Sequence, residues 1–323
     1  MNQKTFTTQI TEDEISSILD AFDLGKKVVE LVRINGGLAN TNMRLVTEKN
    51  KYLLKICDEK TLSELQTQTK ALQHMKKHGY FTAFPHPIAN TLHKEPEFVF
   101  TTPAHHRVIV YDFLTGKPVK FEEVTPTIMS ELGTAVAKLH SLPNYPGLPD
   151  FPMGISAIEP FFEDIKNLSI ASHPFVTFMK ELLENLKPII NDTQLPQGIM
   201  HADLFADNTL FEGEQLVAVI DWEEISYGPL ILDVAMTICG CCYPDKINLD
   251  EKLKNAFLES YQQTRPLSDF ELSKIGEFID YANLAVAFWR FRQFNVRTPD
   301  EELRHKYKEI AKRFTALQHN VID

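Results

Sequence analysis

Two short motifs constrain this chain more than any other feature of its sequence. One is His201-x-Asp203-x-x-x-x-Asn208, and the other is Asp221, which ends an apolar, strand-like run. Phosphoryl transfer from ATP requires a carboxylate beside the attacking hydroxyl, together with an Asn and a second carboxylate that hold Mg²⁺ against the phosphates. Asp203, Asn208 and Asp221 have the order and spacing that this reaction uses, so the sequence predicts kinase chemistry.

The alternative interpretation of these motifs is structural. Strands at 197–201 and 216–221 would form an acidic hairpin around a polar loop, in which the acids and the Asn only stabilise turns. The complete signature, flanked by strands on both sides, favours the kinase interpretation. It predicts Asp203 as the residue that accepts or orients the hydroxyl proton, because a positioned carboxylate typically contributes ~10²–10⁴ in rate. Asn208 and Asp221 are predicted to bind Mg²⁺, which prefers hard oxygen ligands.

These residues resemble the aminoglycoside phosphotransferase and choline kinase superfamily, small-molecule kinases with a protein-kinase-like fold. Further segments that carry the resemblance lie at 35–42, 52–55, 132–140 and 232–235. Within the superfamily, residues 37–42, 195–208 and 288–292 are most similar to the kinase-fold type of homoserine kinase. The resemblance implies that His201 chiefly orients the catalytic loop, with a general-base role as the alternative. It also implies that Asp233 supports this loop or caps the following helix.

The resemblance assigns a phosphate-covering hairpin to residues 35–42. Gly36 and Gly37 would let the backbone approach phosphate oxygens closely, and Asn40 and Thr41 would donate hydrogen bonds to them. An ordinary β-turn is the alternative. Lys55, at the end of an apolar strand, is predicted to pair with the ATP phosphates, although such a lysine is often only a solvated edge residue.

A kinase lysine normally pairs with a helix Glu, and this chain departs from that pattern. Aligning the helix on its apolar residues puts Gln68 where Glu is common in the superfamily. Glu64 is the predicted partner because it carries charge, although a capping box with Thr61 also explains it. For adenine, the segment from Tyr111 to Leu114 is predicted to present backbone groups, and Phe113 or Val110 is predicted to pack on the ring.

The predicted fold is α+β: a bilobal, protein-kinase-like chain with an ATP-binding lobe at 1–113 and a catalytic and substrate lobe at 114–323, and ATP between them. The small lobe is predicted to hold a five-stranded antiparallel sheet and one crossing helix. Its strands are expected at 28–35, 42–47, 51–57, 97–101 and 107–113. The large lobe is predicted to be mainly helical, with helices at 125–141, 174–190, 231–243, 251–263, 269–294 and 299–318.

Bulk properties exclude several classes of protein. The net charge of −11 disfavours nonspecific binding to nucleic acid, which requires basic surfaces. No apolar run is long enough to span a bilayer, and the first residues lack an apolar signal region, so a cytoplasmic location is expected. The four cysteines are predicted to be reduced, and Cys239-x-x-Cys242 lacks the second pair that a zinc site needs.

The sequence constrains the identity of the acceptor alcohol less than any other part of the predicted reaction. An amino-acid acceptor needs an acid for its ammonium and a base for its carboxylate. Glu223, with Glu224 or Asp203, is the predicted acid, and Arg292, with Arg290, is the predicted base. The alternative interpretation is that these arginines are only surface charges and that their helix otherwise serves to pack the core.

Homoserine is the leading predicted acceptor, but two departures keep alternatives open. The acidic continuation 221–224 and the sequence Cys-Gly-Cys at 239–241 differ from what homoserine kinases of this type tend to have. Choline, ethanolamine, hydroxylysine or an aminoglycoside are therefore alternative acceptors. A kinase-fold binding protein without activity is a further alternative, which the intact set Lys55, Asp203, Asn208 and Asp221 disfavours. A protein kinase is disfavoured because Trp222 replaces the Phe of Asp-Phe-Gly.

Overall fold

The computed structural model describes residues 8–34, 40–57, 59–89 and 95–314. The chain divides into two compact units, Met1–Thr115 and Gly116–Asp323. The sequence had placed this boundary two residues earlier, after residue 113. None of the helices in the described ranges combines the length and apolar character that a membrane crossing needs.

The first unit is built on an antiparallel sheet with the strand order β1-β2-β3-β5-β4. Its strands are β1 Val28–Ile34, β2 Asn40–Thr47, β3 Lys51–Cys57, β4 Phe100–Thr101 and β5 Arg107–Asp112. The predicted five-stranded sheet is confirmed for the described residues, although β4 is shorter than expected and β2 begins two residues earlier than predicted.

Two helices accompany this sheet, α1 Glu12–Phe22 and α2 Leu62–Lys77. Each begins at a capping box in which a Thr side chain accepts from the backbone of Glu14 or Glu64, and the Glu side chain accepts from the backbone of Thr11 or Thr61. The sequence predicts both boxes, because Thr11 and Thr61 are each followed three residues later by Glu. The apolar side of α1 packs on one face of the sheet, in a core that includes Ile15, Ile18, Leu19, Phe22, Leu45, Leu54, Ile56, Val108 and Val110.

The second unit is mainly helical, as predicted. Its helices are α3 Pro126–His140, α4 Ile155–Ile165, α5 Pro174–Ile190, α6 Leu230–Cys241, α7 Glu251–Thr264, α8 Asp269–Arg292 and α9 Lys308–Ala311. A π-helical turn, Gln293–Arg297, follows α8 directly. Helix α6 is buried along its whole length, so the segment that follows Asp221 forms the centre of this unit.

The hairpin between strands 197–201 and 216–221 does not form, because each of these strands pairs with a different partner. Strand β6 Gln197–Met200 pairs with β9 Ser226–Pro229, and β7 Thr209–Glu212 pairs with β8 Gln215–Val219. The loop with Asp203 therefore leads from one antiparallel pair into the other, and Asp221 lies on the connection back. A two-residue turn joins β7 to β8, so β7 is the nearest partner for β8 along the chain. This explains why β6 and β8 do not pair.

The predicted helix at 299–318 is also wrong in the described range. Turns occupy residues 301–307, and only α9 is helical. Thr298 and Glu301 have the spacing of a capping box, but the box does not form, because the Thr298 hydroxyl donates to the Gln293 carbonyl and Glu301 pairs with Arg304 at 2.9 Å. Asp300 instead accepts from the backbone of residues 302 and 303, which starts a turn.

Candidate active site

A buried carboxylate on α6 fixes the loop that carries Asp203. Asp233 is fully buried, and its Oδ1 accepts from the Ala202 N–H at 2.7 Å while its Oδ2 accepts from the His201 N–H at 2.9 Å. Ala202 has a left-handed backbone with φ of 67°, which a non-glycine residue adopts only when its surroundings impose it. The role that the family resemblance implied for Asp233 thus corresponds to a specific set of contacts.

A polar chain behind Asp233 keeps this carboxylate ionised. His140 on α3 donates to it from Nε2 at 3.0 Å, and the Nδ1 of His140 lies 2.8 Å from the Tyr261 hydroxyl. Burial raises the pKa of Asp233, but the hydrogen bond and charge of His140, together with the backbone donors, lower it below its ordinary value. A charged carboxylate is therefore available to hold the loop at neutral pH.

His201 is committed to the backbone through both ring nitrogens. Its Nε2 donates to the Ile220 carbonyl at 2.9 Å, and its Nδ1 accepts from the Asp203 N–H at 3.3 Å. The ring is buried beside Trp222, with 4.5 Å between centroids, and burial lowers the pKa of His201. A neutral imidazole with no unoccupied nitrogen supports the loop-orienting interpretation over the general-base interpretation.

Asp203 is oriented by Asn208. The Nδ2 of Asn208 donates to the Asp203 carbonyl at 2.8 Å and to the Asp203 Oδ2 at 3.2 Å. Burial raises the pKa of Asp203 well above its ordinary value, and the negative charges of Asp221 and Glu224 raise it further. A carboxylate with a raised pKa is a stronger base when ionised, which suits a group that takes a proton from a hydroxyl.

Asp221 lies just beyond β8 in a strained conformation. Its backbone is left-handed, with φ of 63° and ψ of 60°. Two neighbours hold it there: the Ile220 N–H donates to the Asn208 carbonyl at 2.9 Å, and the buried Trp222 indole donates to the Val219 carbonyl at 3.2 Å. Backbone strain of this kind costs ~1–3 kcal/mol and often accompanies functional sites.

The donor set around Asp221 fits Mg²⁺ bound together with a nucleotide. Because Asn208 donates through Nδ2, its side-chain oxygen faces away from Asp203, and the Asp221 carboxylate supplies a second hard donor. Within the described ranges there is no group of three or more His, Cys, Asp or Glu side chains that could hold a metal alone. Mg²⁺ commonly takes one or two protein ligands and completes its shell with water and phosphate oxygens, so two donors suffice.

Lys55 lies on the face of the sheet opposite the α1 core. Strand register places Asn42 and Ile109 directly beside it on β2 and β5, so these side chains share what we call the lysine face. Lys55 is only 7% exposed. The Oδ1 of Asn42 is buried without a hydrogen-bond partner. Asn42 was missed from the sequence, although its alternation with Asn40 along β2 could have indicated it.

Strand register also places the two β2 residues that were predicted to donate hydrogen bonds to phosphate on opposite faces of the sheet. Asn40 pairs with Cys57 and lies on the lysine face. Thr41 pairs with Ile56, which belongs to the α1 core, and its Oγ1 accepts from the Thr8 N–H at 3.3 Å. Because β2 begins earlier than expected, strand alternation turns the Thr41 side chain away from Lys55, which disfavours its predicted hydrogen bond to phosphate. Gly36 and Gly37 lie outside the described residues.

The structure gives Glu64 a different role from the predicted one. Its Oε2 accepts from the Thr61 N–H at 2.7 Å and the Thr61 hydroxyl at 2.6 Å, so its carboxylate is occupied at the start of α2. These hydrogen bonds lower the pKa of Glu64. Gln68, the alternative, is 4% exposed on the inner side of α2, and its Oε1 has no hydrogen-bond partner.

The predicted adenine contacts lie at the end of β5. Tyr111 pairs with Leu53 and lies on the lysine face. The Phe113 N–H donates to the Lys51 carbonyl at 3.1 Å, so this backbone donor is not available to a base. The Phe113 ring remains half-buried, with the Arg44 guanidinium 5.9 Å from its centroid.

The residues predicted to bind the acceptor differ in whether their charged groups already have a partner in the structure. Arg290 donates to Glu309 at 3.1 Å, so its charge is already paired. Arg292 lies 5.0 Å from the Phe288 ring and has a buried Nε without a hydrogen-bond partner. The charge of Glu224 acts on both Asp203 and Arg292.

Glu223 is half-buried in the single turn Trp222–Glu224 that follows Asp221. Within the second unit, Asp203, Glu224 and Arg292 are therefore close enough for their charges to interact.

The four cysteines are free thiols and are buried. Burial raises the pKa of Cys239, Cys241 and Cys242 above the ordinary value for a thiol. A thiol with a raised pKa is a poor nucleophile and a poor metal ligand at neutral pH.

The sequence matches the Phosphotransferase enzyme family over residues 30–267. The chain belongs to this family and is a phosphotransferase. Among curated proteins it is similar to homoserine kinase of Methylobacillus flagellatus, with 25% identity over 98% of this chain and 95% of that one. It is also similar to homoserine kinase of Neisseria meningitidis serogroup B, with 27% identity over 81% of this chain and 82% of that one.

Solved structures confirm the predicted kinase-like fold. An amicoumacin kinase in complex with AMP-PNP, Ca²⁺ and Ami matches with a TM-score of 0.71 and 15% identity, over 92% of this chain and 91% of that one. A microcompartment-associated aminopropanol kinase matches with a TM-score of 0.69 and 16% identity, over 93% and 94%. A choline/ethanolamine kinase family protein from Mesorhizobium loti matches with a TM-score of 0.66 and 19% identity, over 95% of each chain.

Proposed function

We propose that this phosphotransferase transfers the γ-phosphoryl group of ATP to the side-chain hydroxyl of L-homoserine. The observation that carries the proposal is the loop 201–208. There a carboxylate of raised pKa is oriented by Asn208, and the backbone is fixed by Asp233. The names of the curated relatives support homoserine as the acceptor. A cytoplasmic location, as expected from the sequence, belongs to the same proposal.

The nucleotide would be held by the predicted metal, phosphate and adenine residues. Asn208 and Asp221 would hold Mg²⁺, which supplies charge stabilisation to the phosphates. Lys55 and Asn40 would bind the phosphates, with the backbone of Gly36 and Gly37 covering them. Tyr111 and the ring of Phe113 would line the adenine site. The complex of amicoumacin kinase with AMP-PNP and Ca²⁺ supports the use of a nucleotide with a divalent cation.

Asp203 would hydrogen-bond the acceptor hydroxyl and take its proton as the hydroxyl oxygen bonds to the γ-phosphorus of ATP and the bond from that phosphorus to the departing ADP breaks. The Asn208 side chain and the fixed backbone hold the carboxylate in one orientation, which lowers the entropic cost of reaching this arrangement. His201 would act only by positioning the loop, because its ring nitrogens are occupied. Because Asp221 raises the pKa of Asp203, neutralising the charge of Asp221 would favour ionised Asp203.

A free amino acid carries both signs of charge, and the second unit offers both. Glu223 is proposed to bind the ammonium group and Arg292 the carboxylate. The unpaired Nε of Arg292 and the π-helical turn that follows it support this assignment, since such turns often occur at functional sites. Specificity would follow because leaving a buried charged group unpaired is costly.

A second candidate acceptor is a simple amino alcohol. The acidic continuation Glu223-Glu224 after Trp222 suits an ammonium group, and an aminopropanol kinase has the same fold. Choline, ethanolamine, hydroxylysine and aminoglycosides are variants of this alternative. They differ from homoserine in lacking a carboxylate or in carrying more ammonium groups, so a substrate comparison separates them.

The test is coupled measurement of ADP release with L-homoserine, choline, ethanolamine, 3-amino-1-propanol, hydroxylysine and an aminoglycoside, at saturating Mg²⁺ and ATP. The proposal predicts the highest kcat/KM for L-homoserine. Better turnover of an amino alcohol would replace homoserine with the second candidate. An absence of acceptor-dependent ADP release across the panel would instead support a kinase-fold binding protein.

A further inference from the structure

A largely buried ion pair joins the end of α7 to the start of α8. Arg265 caps α7, and its Nη2 donates to the Oε1 of Glu271 at 2.9 Å. Glu271 is only 2% exposed, and its Oε2 accepts from the backbone and the hydroxyl of Ser268 at 2.9 and 3.0 Å. Both oxygens of this carboxylate are occupied, which fixes the guanidinium of Arg265 in one place.

The same guanidinium is hydrogen-bonded to the polar chain that reaches the catalytic loop. The Nη1 of Arg265 donates to the Tyr261 hydroxyl oxygen at 3.0 Å, and that hydroxyl lies 2.8 Å from the Nδ1 of His140. The Nε2 of His140 lies 3.0 Å from the Oδ2 of Asp233, which is the oxygen that accepts from the His201 N–H at 2.9 Å. Four consecutive contacts, each of 3.0 Å or less, therefore connect Arg265 with the backbone of the loop.

These contacts give every proton in the chain one direction. A guanidinium only donates, so Arg265 occupies the Tyr261 oxygen and directs the hydroxyl proton to the Nδ1 of His140, which accepts it. An ionised carboxylate only accepts, so the Nε2 of His140 carries a proton that faces Asp233. Burial raises the pKa of Tyr261 above its ordinary value, although Arg265 lowers it, so the hydroxyl keeps the proton that it donates.

Close packing of α3 against α7 holds the rings of His140 and Tyr261 next to each other. A Cβ on Gly133 would lie 3.0 Å from the Tyr261 backbone nitrogen, so the two helices approach at a distance that favours glycine. The adjacent Thr134 Oγ1 lies 2.8 Å from the Ser260 Oγ, which ties the same helices together. The helices therefore place the two rings, and Arg265 determines where the hydroxyl proton points.

We propose that Arg265 is a positioning residue for phosphoryl transfer: by fixing the Tyr261 hydroxyl, it keeps Asp233 in place to hold the catalytic loop. Without the Arg265 donor the hydroxyl would rotate, and the ring of His140 would lose the hydrogen bond that orients it. Glu271 supports this arrangement because it balances the charge of the guanidinium and fixes its position. The inference rests on the catalytic role that the proposed function gives to the loop, and it adds a residue that acts through the loop without binding a substrate.

The kinetic test compares Arg265→Met, Tyr261→Phe and the double variant, with L-homoserine and ATP as substrates. Each single variant should lower kcat roughly 3- to 10-fold, the effect of one lost hydrogen bond, while both KM values stay near those of wild type. The double variant should be no slower than Tyr261→Phe, because Arg265 acts through the hydroxyl. The matched control Lys254→Met removes an ion pair with Glu251, 2.6 Å long and on the same helix, and should retain wild-type kcat.

Amide hydrogen exchange measures the positioning directly and needs no substrate. In both single variants, exchange of the His201 and Ala202 amides should quicken roughly 3- to 10-fold, because the Asp233 carboxylate that accepts from them is held less firmly. Residues 209–219, which form β7, β8 and their turn, lie outside this chain of contacts and should exchange as in wild type. A change confined to the loop distinguishes positioning from a general loss of stability.

Three results would overturn the inference while the proposed function stands: loop exchange that is unchanged or rises equally in both segments, additive losses of kcat in the double variant, or faster loop exchange with wild-type kcat. If wild-type protein does not phosphorylate L-homoserine, the proposed function fails, and the exchange comparison still decides whether Arg265 positions the loop. Thermal melting confirms that the variants are folded. Tyr261→Phe keeps the ring and removes one oxygen, so it keeps the test decisive if Arg265→Met does not fold.

Discussion

Replacing Asp233 with Asn should both destabilise the chain and impair catalysis. The carboxylate accepts from the Ala202 N–H at 2.7 Å, the His201 N–H at 2.9 Å and His140 at 3.0 Å. An Asn has the same shape but only one oxygen. In either rotamer its NH₂ group therefore faces at least one of these donors, and a buried hydrogen bond to a charged group is lost.

The magnitude follows from these contacts. A lost charge-assisted hydrogen bond costs about 1.5–3 kcal/mol, and an unsatisfied buried donor adds to that cost, so we expect a loss of about 2–4 kcal/mol in the free energy of unfolding. The left-handed Ala202 would relax when its N–H loses its acceptor, which would displace Asp203. A displacement of about 1 Å near a reacting group lowers the rate roughly 100-fold.

Urea denaturation and steady-state kinetics measure both effects. The matched control is Asp250→Asn at the start of α7, where the carboxylate also accepts from two backbone N–H groups, at 2.8 and 3.1 Å, away from the loop. The control should keep wild-type kcat. If Asp233→Asn matched this control in both stability and kcat, the anchoring role would be refuted.

The same carboxylate gives a pH dependence with a defined sign. The folded-state pKa of Asp233 lies below its ordinary value of 3.8. Its contribution to stability is therefore complete above the unfolded-state pKa, and it is lost as pH falls from there through the folded-state pKa. The acid limb of the stability profile should be shallower in Asp233→Asn.

Other predictions test the remaining site residues. Asp203→Asn should lower kcat ~10²–10⁴-fold with little change in ATP affinity, and a kcat within about threefold of wild type would exclude base catalysis. Asp221→Ala should sharply weaken Mg²⁺-dependent ATP binding in calorimetry, and wild-type affinity would contradict its metal role. Asn42→Ala should raise the KM for ATP more than it lowers kcat; an unchanged KM would remove Asn42 from the phosphate site. Cys241→Ser, if folded, should retain activity, so loss of turnover would show a role for this thiol.

Local patterns in the sequence predicted the parts of the structure that depend on near neighbours. The capping boxes at Thr11 and Thr61 span three residues and formed as expected. The five strands of the first unit follow from alternating apolar residues and turn signals. Asp203 and Asn208 lie five residues apart and are in direct contact, because a single loop brings them together.

The pairing of strands, and the face of the sheet on which each side chain lies, were harder to predict. The partner of β6 is β9, which no local signal identifies, because strand pairing depends on the tertiary fold. A strand start two residues earlier turned Thr41 towards the core and left Asn42 beside Lys55, since each step along a strand changes the face.

The contact of Arg313 with Cys239 spans 74 residues of sequence. Nothing in the composition or periodicity near Arg313 distinguishes it from the other basic residues of the last segment. Only the fold brings it against α6.

The central claim is that Asp203 directs the γ-phosphoryl group of ATP to the side-chain hydroxyl of L-homoserine. The most direct measurement is phosphorus NMR of a reaction that contains the protein, Mg²⁺, ATP and L-homoserine, with Asp203→Asn in parallel. The account predicts a new phosphomonoester resonance, coupled to the side-chain methylene protons, that grows in step with ADP and is nearly absent with the variant. Formation of ADP and inorganic phosphate without this ester, or equal ester formation by the variant, would contradict it.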